Sequence, residues 1–208
     1  MKKSKRVKKS NSWKIKQHRD QFFKKSKTLG YRSRASFKLI ELNKKFKFLK
    51  KNTNLLDLGS CPGGWSQVVS QIIKVGRIMS IDIKNMEPIK NVRFFRGDML
   101  SEETKSVVIK YFKSNLDVIL SDMAADTTGN KALDSIRTNQ LCADVINFSK
   151  ETLKPKGVLI SKIFMGEDFL EVKNLAKSSF NKVNFFKPES SRKESRETYL
   201  HCEILKSL

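Results

Sequence analysis

Several things are missing from this chain of 208 residues. No apolar run approaches the ~20 residues that a membrane-crossing helix needs, and no signal-peptide pattern opens it. A cytoplasmic protein with no membrane partner is therefore expected. Cysteine is scarce: Cys61, Cys142 and Cys202 are odd in number, far apart and never in a C-x-x-C. That excludes a disulfide frame and a cysteine zinc site, and reads as reduced thiols. Histidine is limited to His18 and His201, and no metal site is evident. Acidic residues are almost absent from the first 51 positions, where only Asp20 and Glu41 face 20 Lys/Arg.

That imbalance is the first positive signal. The net charge is +22, of which +18 lies in residues 1–51. A polyanion partner follows, and nucleic acid is the commonest one. Two other readings stay open at this point. The excess of 33 lysines over 10 arginines fits a codon bias, and an acid-poor leader fits a transit peptide, although such leaders favour arginine and serine. Residues 1–29 read as a basic, mobile arm that orders on its partner. Its aromatics, Trp13, Phe22 and Phe23, either stack on bases or pack back on the domain. Residues 30–208 read as one domain; 38% hydrophobic residues support a sizeable core.

The most specific stretch runs from Leu55 to Ile73. An apolar run, Leu55-Leu56-Asp57-Leu58, meets the turn Gly59-Ser60-Cys61-Pro62-Gly63-Gly64. Apolar residues then recur at Trp65, Val68, Val69, Ile72 and Ile73 with helical spacing. Strand, glycine turn and helix build a nucleotide-type pocket, because glycines let the backbone approach a ligand. The spacing matches neither G-x-G-x-x-G nor a phosphate loop ending in Gly-Lys-Ser/Thr. No lysine or arginine lies between Lys51 and Lys74 to meet a phosphate. An adenosine-bearing ligand without phosphates, such as S-adenosylmethionine, fits; the plainer alternative is a tight loop between core elements.

Upstream, the spacing predicts a helix over Arg34 to Leu49, with Ala35, Leu39, Leu42, Phe46 and Leu49 as its core stripe and Lys38 beside it. Downstream, strands are predicted at Arg77–Ile83, Val92–Arg96, Leu116–Leu120, Val158–Phe164, Val183–Phe186 and Tyr199–Leu205. Helices are predicted at Thr138–Leu153 and Phe169–Phe180. The alternation argues an α/β, Rossmann-like doubly wound sheet, mostly parallel, whose last strand is antiparallel. Ligands in such sheets sit at the carboxyl ends of the strands. There the sequence places Gly59, Asp82, Asp98 and Asp122, with Lys162 on the fifth strand. Asp82 falls 23 residues after Gly59, near the offset of a ribose-binding acid, and Asp98 suits an adenine amino group. Singly, each acid reads equally well as a helix cap or loop residue.

The stretches SRASFKL (33–39), DLGSCPGGWSQ (57–67), LSDMA (120–124), SKIFMGE (161–167) and SSRKESRETYL (190–200) resemble the FtsJ/RrmJ family. Its members methylate a uridine 2′-hydroxyl of large-subunit (23S-type) ribosomal RNA. The resemblance runs from Ser33 to the C-terminus and implies a class I S-adenosylmethionine-dependent methyltransferase fold, with S-adenosylmethionine as cofactor. The family's catalytic tetrad maps onto Lys38, Asp122, Lys162 and Glu197, and its cofactor positions onto Gly63, Trp65, Asp82, Asp98 and Asp122. The implied partner is large-subunit ribosomal RNA on the assembled 50S subunit, approached by a monomer. Two stretches depart from the family pattern: Ser60-Cys61 replaces small alanines, and Ala124 to Gly129 replaces an Ala-Pro-Asn run.

The implied chemistry explains the residue types. A sulfonium methyl donor is already a good leaving group, so catalysis is mostly in-line positioning of the ribose oxygen. What remains is deprotonating a weakly acidic alcohol. An unperturbed lysine, with a pKa of about 10.4, is mostly charged at neutral pH. A second lysine and the sulfonium lower it, while Asp122 and Glu197 oppose that shift. Lys162 is thus expected to be the general base, Lys38 its electrostatic tuner, and the two acids the orienting groups. A pair of structural salt bridges is the competing reading. Two rivals to the substrate assignment remain: a 2′-O-methyltransferase of transfer RNA or messenger RNA caps, and a non-catalytic RNA-binding assembly factor.

Overall fold

The computed structural model of the protein describes residues 20–206. Helix α1 (Gln21–Thr28) and helix α2 (Ala35–Phe46) precede β1 (Leu55–Leu58), α3 (Gly64–Ile72), β2 (Ile78–Asp82) and β3 (Arg93–Arg96). Then follow α4 (Glu102–Phe112), β4 (Leu116–Ser121), α5 (Lys131–Thr152), β5 (Leu153–Phe164), α6 (Phe169–Ser179), β6 (Phe180–Phe186) and β7 (Glu197–Leu205). The strands form one sheet in the order β3-β2-β1-β4-β5-β7-β6. Only β7 runs against its neighbours, pairing antiparallel with both β5 and β6.

Helices cover both faces, so the central strands are apolar on both. Leu56 and Leu58 of β1 join a core with Val108 and Phe112 of α4, Cys142, Val145 and Ile146 of α5, and Val172 and Ala176 of α6. Leu55 faces the other way, into Leu39 and Leu42 of α2 and Trp65, Val68 and Val69 of α3. The strand order reverses between β1 and β4, and in such sheets the carboxyl ends at this switch are where ligands bind.

Several boundaries differ from expectation for local reasons. α2 stops at Phe46 because Lys47 turns left-handed (φ 55°), and Asn43 Oδ1 accepts from the Leu49 N–H at 3.0 Å. Phe48 and Leu49 are nevertheless buried. α5 begins at Lys131, seven residues before Thr138, because the Asn130 side chain accepts from the Ala132 and Leu133 N–H groups. β5 begins at Leu153, not Val158, with a register shift against β4. β6 begins at Phe180 and β7 at Glu197, each earlier than predicted. α4 was not anticipated: Ser101 caps it and Glu102 and Glu103 fill its first turn.

The segment assigned to a mobile arm divides. Residues 1–19, with Trp13, lie outside the described residues. Gln21–Thr28 is helical and docked: Asp20 caps it through the Phe22 and Phe23 N–H groups and also pairs with Arg34. The Phe22 ring lies 5.6 Å from Phe37 of α2, and Ser26 is buried. Here burial of one helical face outweighs the basic composition that suggested an arm.

Candidate active site

The glycine turn leaves β1 at Gly59, whose φ of +70° suits glycine; a Cβ there would crowd the Met123 main chain at 3.0 Å. Gly63 (φ +104°) caps α3, which has no side-chain cap. The Ser66 N–H is taken by the Asp57 carboxyl, whereas no side chain caps the Gly64 and Trp65 N–H groups, and a helix N-terminus favours an anionic ligand. The Trp65 indole is buried and donates to the Ala35 carbonyl at 2.8 Å, tying α3 to α2. The Trp65 side chain is thus part of the core.

Asp82 ends β2 and grips the turn. Its Oδ2 accepts from the Cys61 N–H and its Oδ1 from the Lys84 N–H, both at 2.8 Å. Asp98 lies two residues beyond β3 and is exposed; its Oδ1 accepts from the Leu100 N–H at 3.0 Å. Both acids thus shape their own loops, and each oxygen retains lone-pair capacity for a ligand.

Lys38, Asp122, Lys162 and Glu197 meet at the carboxyl edge as two linked pairs. Lys38 Nζ lies 2.8 and 2.9 Å from the two Glu197 oxygens. Lys162 Nζ lies 2.9 Å from Asp122 Oδ1 and donates to the Asp122 main-chain oxygen at 2.6 Å. Sheet register brings them together: Lys162 of β5 stands opposite Tyr199 of β7, and Phe164 opposite Glu197. Tyr199 joins the pairs. Its hydroxyl donates to Asp122 Oδ1 at 2.6 Å, and Lys38 Nζ sits 5.7 Å from its ring centroid. Both lysines are only 8% exposed, so their charges act with little screening.

The electrostatics follow from that packing. Burial pushes the Asp122 carboxyl up, but Lys162, Lys38 and the Tyr199 hydroxyl together hold it below the ordinary carboxylate range. Tyr199 itself is pushed well above the ordinary phenol range, first by burial and then by Asp122 and Glu197. It stays a neutral donor. Beneath the glycine turn, burial raises Asp57 to about 7; the Ser66 hydroxyl donates to its Oδ2 at 2.6 Å.

Sequence reasoning missed Tyr199, although the signal was present. In a strand, residues two apart share a face, so Tyr199 had to accompany Glu197. It also missed Asp134, which accepts from the Thr128 N–H and hydroxyl at 2.7 and 2.8 Å and pins the unusual Ala124–Gly129 stretch.

This sheet order, with a lone antiparallel β7 and a glycine turn at the topological switch, defines a class I S-adenosylmethionine-dependent methyltransferase fold. The family model of the FtsJ-like methyltransferases matches residues 31–204, and the chain belongs to that family. It is 46% identical over 197 residues to the ribosomal RNA large subunit methyltransferase E of Pelagibacter ubique, covering 95% of this chain and 97% of that one. The Rickettsia akari protein of the same name is 43% identical over 202 residues, covering 94% and 89%. Among solved structures, a ribosomal RNA methyltransferase from Plasmodium falciparum superposes with a TM-score of 0.75 at 34% identity, covering 84% of this chain and 98% of that one. Human methyltransferase-like protein 13, solved with SAH, shares the fold at 16% identity and a TM-score of 0.58, covering 76% and 78%.

Proposed function

We propose that this methyltransferase transfers the methyl group of S-adenosylmethionine to the ribose 2′-hydroxyl of a uridine in large-subunit ribosomal RNA, as a monomer acting on the assembled subunit. The names of the relatives support ribosomal RNA as substrate. The donor set suits the cofactor. An uncapped α3 N-terminus favours its carboxylate, and Asp82 and Asp98 stand at the carboxyl edge to accept from its ribose and adenine. When bound, the cofactor supplies an electrophilic methyl on a sulfonium leaving group.

The observation that carries the catalytic reading is the hydrogen bonding of Lys162. Two acceptors, the Oδ1 and main-chain oxygen of Asp122, occupy two of the three directions around Nζ. Once Lys162 has given up its own proton, its two N–H groups can point at these oxygens, which leaves the lone pair for the ribose hydroxyl. Lys162 can then accept the ribose proton while Asp122 keeps the amine from turning. Lys38, held by Glu197, adds positive charge near the forming alkoxide. Tyr199 saturates Asp122 and keeps it fixed.

The test is methyl transfer by Lys162→Ala and Lys162→Arg to assembled large subunits lacking the modification. Both variants should bind cofactor and transfer nothing, because a guanidinium stays protonated in proteins. Near-normal turnover by Lys162→Arg would remove the general-base role.

A further inference from the structure

Arg32 lies in the link between α1 and α2, outside the tetrad and the expected cofactor positions. Its guanidinium gathers main-chain carbonyls from two segments distant in sequence. Nη1 donates to Glu87 O at 2.6 Å and, more loosely, to Pro62 O at 3.4 Å; Nη2 donates to Pro88 O at 2.7 Å. Its N–H donates to Gln67 Oε1 at 2.9 Å, and the Gln67 amide donates back to Gly30 O at 2.8 Å. One residue therefore touches the glycine turn, α3 and the stretch that follows β2.

That stretch, residues 83–91, carries no helix or strand and crosses the glycine turn. A Cβ on Gly63 would meet Met86 Sδ and Ile89 Cδ1 at 2.9 Å and Arg32 Nη1 at 3.0 Å. Cys61 Sγ reaches Asn85 O at 3.4 Å. The stretch follows directly on Asp82, which itself holds the glycine turn through the Cys61 N–H at 2.8 Å, and it crosses that turn at Gly63. Carbonyl oxygens in such irregular segments have no ladder to satisfy them, and a planar fork satisfies several at once where an ammonium presents a point charge.

We propose that Arg32 is a positioning residue of the cofactor pocket. Its guanidinium fastens residues 83–91 across the glycine turn and so sets the width of the cleft between Gly63 and Asp82. Both terminal nitrogens are engaged by carbonyls, which favours this role over an RNA phosphate contact. The inference rests on the reading of that cleft as the S-adenosylmethionine site.

The experiment uses the full chain with Arg32→Lys and Arg32→Ala. Calorimetry measures S-adenosylmethionine binding without RNA, and kinetics at saturating RNA separate KM from kcat. Loss of the fork should weaken cofactor binding and raise its KM about tenfold or more, as misplaced walls do, with kcat and the KM for RNA little changed. Arg32→Lys keeps the stem and charge, so it decides the matter if Arg32→Ala fails to fold. Unchanged cofactor affinity in Arg32→Lys overturns the proposal. So does a raised KM for RNA with normal cofactor KM, which makes Arg32 a phosphate contact. A wild-type chain that binds no S-adenosylmethionine overturns the cofactor reading itself.

Discussion

The Tyr199 hydroxyl donates to Asp122 Oδ1 at 2.6 Å, on the same oxygen that Lys162 approaches to 2.9 Å. One carboxylate oxygen thus serves a neutral donor from β7 and a cation from β5. Tyr199→Phe removes the neutral donor and keeps the ring under Lys38. A hydrogen bond to a charged group is worth about 1.5–3 kcal/mol. The lower end applies, because Lys162 still satisfies Asp122, so kcat should fall roughly tenfold. Cofactor affinity should hold. Unchanged kcat in Tyr199→Phe would leave the tyrosine as a packing residue only.

Asp82 has two expected duties, and two substitutions separate them. Asp82→Ala loses the ribose acceptor and frees the Cys61 and Lys84 N–H groups, so cofactor affinity should fall by about 1.5–3 kcal/mol or more. Asp82→Asn keeps one oxygen for one loop N–H and should lose less. Calorimetry showing equal affinity in the wild type and a folded Asp82→Ala removes the assignment.

Asp57 predicts a pH dependence of stability. Its carboxyl is raised by burial from 3.8 to about 7 in the fold. A raised carboxyl favours the folded state most when protonated. Stability should therefore decline as pH rises from about 4 through about 7, by an order of magnitude of 4 kcal/mol at most. Asp57→Asn keeps the shape and removes the proton, so its stability should be nearly flat across that window. Urea midpoints at pH 5 and pH 8 for both proteins check this. Parallel pH trends in the two would assign the titration to another group.

The basic arm is best tested by removing residues 1–19 alone. They carry nine Lys/Arg and no acid. A cut after residue 29 would also remove Asp20 and α1, which pack on α2. The shortened protein should bind RNA more weakly and with a shallower slope of log affinity against log salt, since fewer counterions are released. Turnover at saturating RNA should persist. Equal slopes would leave the charge as composition bias or a targeting leader.

Much of this organisation was legible in the chain. The glycine turn, the alternation of strands and the acids at strand ends are local patterns, and Asp82 and Asp122 fell where the periodicity placed them. What escaped depended on partners distant in sequence. By periodicity alone Lys38 is an off-stripe helical lysine; the family resemblance, not any local pattern, joined it to Glu197, 159 residues away. α1 reads as part of an arm until Phe37 covers Phe22. α4 is different: its cap Ser101, its acidic first turn and the spacing of Val108 and Phe112 are all local signals.

The most direct measurement is the chemical form of the transferred methyl group. Large ribosomal subunits from cells lacking the protein are incubated with the purified chain and S-adenosylmethionine labelled in the methyl, and their RNA is then hydrolysed in alkali. A 2′-O-methyl group blocks cleavage at its own linkage, so the label should appear in one alkali-resistant dinucleotide with uridine on its 5′ side, and Lys162→Ala should leave none. Label recovered in single nucleotides, marking a methylated base, would contradict the account.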